Sequence, residues 1–393
     1  MSARSGSSPR AVVTDDSHFM RSVISDILES GGVEVVAQAR NGREAVDAVD
    51  AHRPDVVTMD VEMPEMNGIE AVERIMSERP TPVLMLSAHT DENADVTFQA
   101  LEKGAVDFFT KPGGEVSMEM SRLEDQLVEM VRSVADVEVS MGASAGTSSP
   151  TDAYAAAVDA AEAAEVTSAT DAAEAASAET AQTATAGSSE PAIRSGRRFV
   201  EHPTLLIGSS TGGPTVVERV LSALPVEADL RVLIVQHMPE GFTARFAERL
   251  DDRSGYAVSE ACDGDRIGGG EALVAPGGKH MAVSNYARGR LRVTLIEDPP
   301  VNSVRPAVDV TFASAAATID GPTTAVVLTG MGTDGADGVR DVEAAGGHVI
   351  AQDEATSAVY GMPKRAVETG AVDAVLPLEK IAEGILETIT EES

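Results

Sequence analysis

The sequence predicts two α/β domains, each a parallel sheet with helices on both faces, joined by a long linker. Three observations lead there. Short apolar runs alternate with helix-periodic stretches over residues 10–133, the same rhythm resumes over residues 199–393, and residues 134–198 between them lose it. Residues 1–9 are left as an N-terminal tail. At roughly 100–200 residues per domain, 393 residues allow two or three domains, each with its own core.

In the first domain Ala11–Val13 reads as a strand. Asp16–Ser30 then sets Phe19, Val23 and Ile27 beside Met20, Ile24 and Leu28, the stripe of an amphipathic helix, and Gly31-Gly32 ends it. Further strands are expected at Val33–Ala37, Val56–Met59, Val83–Ser87 and Asp107–Thr110, with helix patterns between them. From Thr151 to Glu190, 17 of 40 residues are Ala and eight are acidic, with no Lys or Arg. Such a segment lacks the large apolar groups that would offset the entropy of ordering, so it reads as a tether. In the second domain strands are expected at Thr204–Ile207, Arg231–Val235, Ala272–Ala275, Leu291–Ile296, Ala325–Thr329 and His348–Ala351. Helix patterns start at Pro214, Gly241, Pro306, Gly335 and Pro363, which together make a second doubly wound domain.

Composition removes several function classes. No apolar run approaches the roughly 18 residues of a membrane helix, and MSARSGSSPR lacks the apolar stretch of a secretory signal. The lone Cys262 can form neither an internal disulfide nor a thiolate-rich zinc site. The expectation is a cytoplasmic protein with no membrane insertion. There are 64 acids against 30 bases, a net charge of −34, and only five of the bases are Lys. Nucleic acids and anionic membranes are bound through a basic footprint, so neither is an expected partner. The acids run through the periodic segments as well as the linker. That points to a halophile cytoplasm, because at about 1 M salt the Debye length is only about 3 Å and surface carboxylates hardly repel one another.

Parallel α/β sheets bind ligands at the carboxyl ends of their strands. Asp15-Asp16 ends the first strand, Asp60 the third and Ser87 the fourth, and Lys111 follows the fifth, so all five converge on one rim. Singly each has a plain explanation: Asp16 or Ser17 as a helix cap, Asp60 as a turn residue, Lys111 as a solvated loop lysine. Together, three carboxylates call for a cation. All-oxygen ligands suit Mg²⁺, which with Lys111 would neutralise a phosphoryl group on Asp60. The segments VVTDDS, VVTMDVEMPEMNG, VLMLSAHT and GAVDFFTKP resemble a response-regulator receiver domain over about residues 10–130, which implies a flavodoxin-like sheet. The resemblance implies Asp60 as phosphoacceptor and Mg²⁺ bound by Asp16, Asp60 and the backbone carbonyl of Glu62, with Asp15 acting through water. It also implies Ser87 and Lys111 at the phosphoryl group and Phe108 as the aromatic switch residue.

The run Leu205–Pro214 leads from a strand through small residues into a helix. Gly208-Ser209-Ser210-Thr211-Gly212 satisfies the G-x-S-x-G elbow, which presents a serine hydroxyl at a strand–helix turn, although Gly-rich joints of this kind also cradle phosphates. A serine nucleophile needs a base. His237 follows the strand at Arg231 and Asp334 follows the strand at Ala325, so both lie on the rim of Ser210. His280, at another expected strand end, is the competing base. A nucleotide-binding reading lacks the Lys of a Walker loop and the G-x-G-x-x-G spacing.

IGSSTGGP, QHMPEGFTARFAERL, APGGKHM, DPPVNSVRPAVDVTF, LTGMGTDGADG and AQDEATSAVYGMP resemble the catalytic domain of the CheB chemotaxis methylesterases over about residues 203–387. The resemblance implies Ser210 as nucleophile, His237 as general base and then acid, Asp334 orienting His237, and the Met331 N–H in the oxyanion hole. Ser209 stands where many relatives have Ala, so the choice of Ser210 rests on the elbow register. The implied activity is hydrolysis of glutamate methyl esters on chemotaxis receptors, with glutamine deamidation by the same acyl chemistry. No cofactor is expected for the esterase step. The implied phosphodonor is the chemotaxis histidine kinase CheA, and an unphosphorylated receiver is expected to cover the esterase site. The alternative is a phosphorylation-dependent receptor-docking scaffold without hydrolysis.

Overall fold

The N-terminal alternation resolves into β1 (Arg10–Thr14), α1 (His18–Ser30), β2 (Glu34–Ala39), α2 (Gly42–His52), β3 (Val56–Asp60), α3 (Gly68–Glu78), β4 (Val83–Ser87), α4 (Asp91–Glu102), β5 (Asp107–Thr110) and α5 (Met118–Ala135). The structure is a computed structural model describing residues 8–87, 91–111, 118–137 and 198–391, without side chains for 91–93 and 118–123. The five strands form one parallel sheet in the order β2-β1-β3-β4-β5. Every residue of β3 and β4 is buried, as a sheet covered on both faces requires. Truncating one such side chain, as in Leu84→Ala, would cost about 2–5 kcal/mol.

Helix α1 starts two residues later than expected, because the Ser17 side chain accepts the Met20 N–H and caps it. Gly31 ends it as anticipated. The stripe needs correction. Ile24 and Leu28 are buried, but Phe19 is 71% exposed. It lies in the first turn, at the margin of the face through which the rest of the helix packs. Strand β2 also runs two residues past its expected end.

The C-terminal half comprises β6 (Thr204–Ser209), α6 (Gly213–Ala223), β7 (Arg231–Gln236), α7 (Phe242–Arg253), β8 (Ala257–Glu260), β9 (Arg266–Ile267), β10 (Glu271–Val274), β11 (His280–Ala287) and β12 (Arg290–Ile296). It continues with α8 (Val308–Thr318), β13 (Thr323–Val327), α9 (Ala336–Ala344), β14 (His348–Gln352), α10 (Met362–Glu368), β15 (Ala374–Leu376) and α11 (Leu378–Thr388). A seven-stranded parallel sheet runs β15-β14-β13-β6-β7-β10-β8. Chain order reverses around β6, so β6, β7 and β13 lie side by side at the switch point where such sheets bind ligands.

One expected strand belongs elsewhere. Leu291–Ile296 lies in β12, inside a separate antiparallel sheet of order β11-β12-β9. Its alternating Arg290-Leu291-Arg292-Val293 pattern, exposed then buried, marks a strand with one wet face. Residues 8–137 and 198–391 pack as one compact unit, with buried side chains of both sheets' surroundings in one continuous core.

Candidate active site and phosphoacceptor rim

At the carboxyl end of the five-stranded sheet, Asp15 follows β1 and Asp60 ends β3, with both carboxylates buried. Oxygens of Asp15, Asp16 and Asp60 lie within 4.8 Å of one another. Lys111 Nζ sits 2.7 Å from Asp15 Oδ2 and 2.7 Å from Asp60 Oδ1. Burial pushes the Asp60 carboxyl up, and the Lys111 ammonium opposes that shift. Three carboxylates against one ammonium leave net negative charge in an all-oxygen donor set, which fits a hard divalent cation. Ser87 is fully buried, and its hydroxyl accepts from Thr97 Oγ1 at 3.3 Å. Phe108 is buried in β5, and Glu62 is exposed just beyond β3.

At the carboxyl end of the larger sheet, Ser210 follows β6, His237 follows β7 and Asp334 follows β13. The elbow is built by close approach. Gly212 takes φ +73° between the serine and α6, and a Cβ on Gly330 would lie 2.8 Å from the Ser210 Cβ. The Ser210 backbone N–H donates to Thr329 O at 3.0 Å, pinning the elbow to the chain after β13. Gln236 holds the other side. It accepts from Ser209 Oγ and donates to Ser210 O at 2.8 Å, so Ser209 is tied into the scaffold.

His237 Nε2 lies 2.8 Å from Asp334 Oδ2, with both side chains largely buried. Asp334 also accepts backbone N–H groups from Val308 at 2.6 Å and Asp309 at 3.2 Å. Burial alone would raise its carboxyl, but the hydrogen bond and charge of His237, with the Val308 N–H, hold it below the usual carboxylate range. Among the hydrogen bonds of the described residues, none joins Ser210 Oγ to His237. Met331 follows Gly330 on the same rim. His280, the competing base, is corrected to a structural role. It is buried at the start of β11, where Nδ1 accepts the Ala307 N–H at 3.1 Å and Nε2 lies 3.2 Å from Pro299 O.

The start of β5, at the edge of the first sheet, meets the second rim. Asp107 Oδ2 accepts the Gly212 N–H at 3.1 Å, directly beside the serine elbow. Burial pushes the Asp107 carboxyl up to about 7, against the N–H groups of Phe108 and Gly212. Phe108 stacks on Phe242 with centroids 4.7 Å apart, and Phe98 stacks on Phe246 at 6.1 Å. Arg249 and Arg253 on α7 both pair with Glu102. Between the two parts lies a cavity of about 180 Å³ lined by Asp107, Phe108, Met130, Ser210 and His237 among others. Asp107, Asn302 and Asp309 were not picked out from the sequence. A buried Asp in an apolar strand leaves no periodic signal, whereas Asn302 and Asp309 lie in DPPVNSVRPAVDVTF, one of the segments that carry the family resemblance.

Two family models match the chain: "CheB methylesterase" over residues 205–385 and "Response regulator receiver domain" over residues 11–121. A protein-glutamate methylesterase/protein-glutamine glutaminase of Haloarcula marismortui is 66% identical over 98% of this chain and 98% of its own. Proteins of the same name from Natronomonas pharaonis and Symbiobacterium thermophilum are 58% and 43% identical, each over 97% of this chain and 98% and 97% of their own. The first two organisms are halophilic archaea, in keeping with the acidic composition. Among the described residues no helix is long and apolar enough to cross a membrane. With the receiver sheet, the esterase sheet and full-length relatives in agreement, the chain belongs to the CheB methylesterase family, in the form that carries an N-terminal response-regulator receiver.

Proposed function

We propose that the chain is a cytoplasmic, phosphorylation-activated protein-glutamate methylesterase that also deamidates glutamine, acting on chemotaxis receptors. The observation that carries the proposal is the placement of Ser210, His237 and Asp334 at the ends of three neighbouring strands, with His237 Nε2 held by Asp334. That bond leaves Nδ1 as the ring nitrogen to take the Ser210 proton. Ser210 Oγ attacks the ester carbonyl, and the oxyanion is met by the Met331 N–H. The tetrahedral intermediate expels the methoxy group, which leaves as methanol with the proton from His237. Water, deprotonated by His237, then cleaves the acyl-enzyme to the glutamate carboxylate and free Ser210. With a glutamine side chain the same steps release ammonia.

Control comes from residues 10–133, and residues 134–198 tether them to the catalytic domain at 199–393. Asp107, Phe108 and Phe98 lie against the elbow and α7, so a receptor side chain reaching Ser210 must displace them. The phosphodonor is the chemotaxis histidine kinase CheA, and Asp60 is the acceptor. Asp15, Asp16, Asp60 and the Glu62 carbonyl would hold Mg²⁺, which supplies charge neutralisation for the incoming phosphoryl group. Lys111 would turn from the carboxylates to a phosphoryl oxygen and Ser87 would donate to another, drawing on Phe108 and loosening its stack on Phe242. The test is methanol and ammonia release from methylated receptor membranes in molar salt, by wild type and Ser210→Ala, each with a small acyl phosphate. Release by wild type alone supports the proposal. Equal signalling effects of both proteins without release would favour the docking scaffold.

A further inference from the structure

Asp334 and Asp309 cap each other's helices. Asp334, just before α9, takes the Val308 and Asp309 N–H groups at the start of α8. Asp309, in the first turn of α8, takes the Gly338 N–H in the first turn of α9 at 2.7 Å. Each carboxylate therefore sits at a helix N-terminus, where it is favoured. The exchange also brings two buried carboxylates together, and like charges at short range oppose one another's ionisation. One group stands between them. Asn302 Nδ2 donates to Asp309 Oδ2 at 2.7 Å and to Asp334 Oδ1 at 3.0 Å. Its two N–H bonds supply one donor to each carboxylate.

The backbone is built to deliver that amide. Val301 and Val304 exchange both backbone hydrogen bonds, at 3.1 and 2.9 Å, around Asn302 and Ser303. Both central residues have positive φ, 51° and 69°, the arrangement of a tight primed turn in which Asn is favoured at the first position. Within this turn the side chain of Asn302 reaches out of the loop into the Asp334–Asp309 pair.

Resting on the reading of Asp334 as the group that orients His237, we propose that Asn302 is a positioning residue for catalysis: its amide keeps Asp334 aimed at His237 by neutralising the repulsion of Asp309. Asp334 then holds His237 through one oxygen while Asn302 fixes the other. The titratable groups facing this pair are His237, from the loop after β7, and Asp337, from the first turn of α9. Asp309 is pushed up to about 6, first by burial and then by the charge of Asp334, with the Gly338 N–H and Asn302 opposing. The demand on Asn302 is therefore greatest above that pH, where Asp309 is ionised, and smaller below it, where Asp309 is neutral.

The experiment measures kcat and KM for methanol release by the full chain under saturating acyl phosphate, from pH 5 to 8. Asn302→Gly removes the amide and accepts the left-handed φ without strain. It is expected to lower kcat about 10-fold at pH 8 with little change in KM, a loss in line with removing a hydrogen bond to a charged group. The wild-type-to-variant ratio of kcat should shrink as pH falls through about 6. Adding Asp309→Asn in the same chain should restore most of the rate and flatten the ratio. An unchanged kcat, or a pH-independent loss that Asp309→Asn does not recover, would overturn the role of Asn302. Asp334→Asn serves as the separate control: full activity in that variant would overturn the orienting role of Asp334 itself.

Discussion

The two strand-end rims handle negative charge in opposite ways. On the receiver rim, Asp15, Asp16 and Asp60 crowd within 4.8 Å with Lys111 as counter-charge, an arrangement that invites a cation and a phosphoryl group. On the esterase rim, Asp334 is met by backbone N–H groups, an amide and His237, so it stays ionised without a cation. The same topology thus produces one site with uncompensated negative charge, open to a cation, and one whose single carboxylate is fully met by hydrogen-bond donors. Asp107 and Phe108 open β5 at the edge of the first sheet, and they rest on the elbow and on α7 of the second domain.

The sharpest break between the rims comes from the nucleophile. Ser210→Ala should lower methanol release at least about 1,000-fold, whereas Ser209→Ala, which removes only a scaffold hydroxyl, should leave most of the rate. Asp334→Asn follows, with a loss of about 100- to 10,000-fold from mis-set His237. On the other rim Lys111→Ala should abolish stimulation by acyl phosphate while wild-type and variant basal rates stay alike, read from the same assay with and without donor.

The contact of Asp107 with the serine elbow predicts a pH effect. Asp107 is pushed up to about 7 in the packed state, so packing binds a proton that the open state, with an ordinary carboxyl, does not. Packing is then strongest at low pH, below the ordinary carboxylate range, and weakens as pH rises through about 7. After normalising to the phosphodonor-activated rate at each pH, the basal rate should climb across that window in wild type. In Asp107→Asn, a neutral isostere, the normalised rate should stay flat. The smallest effect belongs to Glu102→Gln. Loss of the Arg249 and Arg253 pairs should raise the basal rate less than about fivefold, and hardly at all in molar salt.

Much of this was legible beforehand because parallel strands write continuous apolar runs and place chemistry at their ends. Val83–Ser87 and Asp107–Thr110 coincide with β4 and β5, and Ser210, His237 and Asp334 meet on one rim. What escaped the reading has physical reasons. Leu291–Ile296 is as apolar as a parallel strand, and only the alternation with Arg290 and Arg292 distinguishes it as a strand with one wet face. Phe19 fits a helical stripe by spacing, yet lies in a first turn that the core does not reach. Asp107 and Asn302 act through partners 105 and 32 residues away, and no local pattern announces such pairs.

The most direct test of the account follows the rate at which a serine-directed fluorophosphonate labels the full chain in molar salt, with and without acyl phosphate. Wild type should label faster with donor, Asp60→Ala should label slowly in both conditions, and mass spectrometry should find the adduct on Ser210. A labelling rate indifferent to the donor, or an adduct on Ser209, would contradict it.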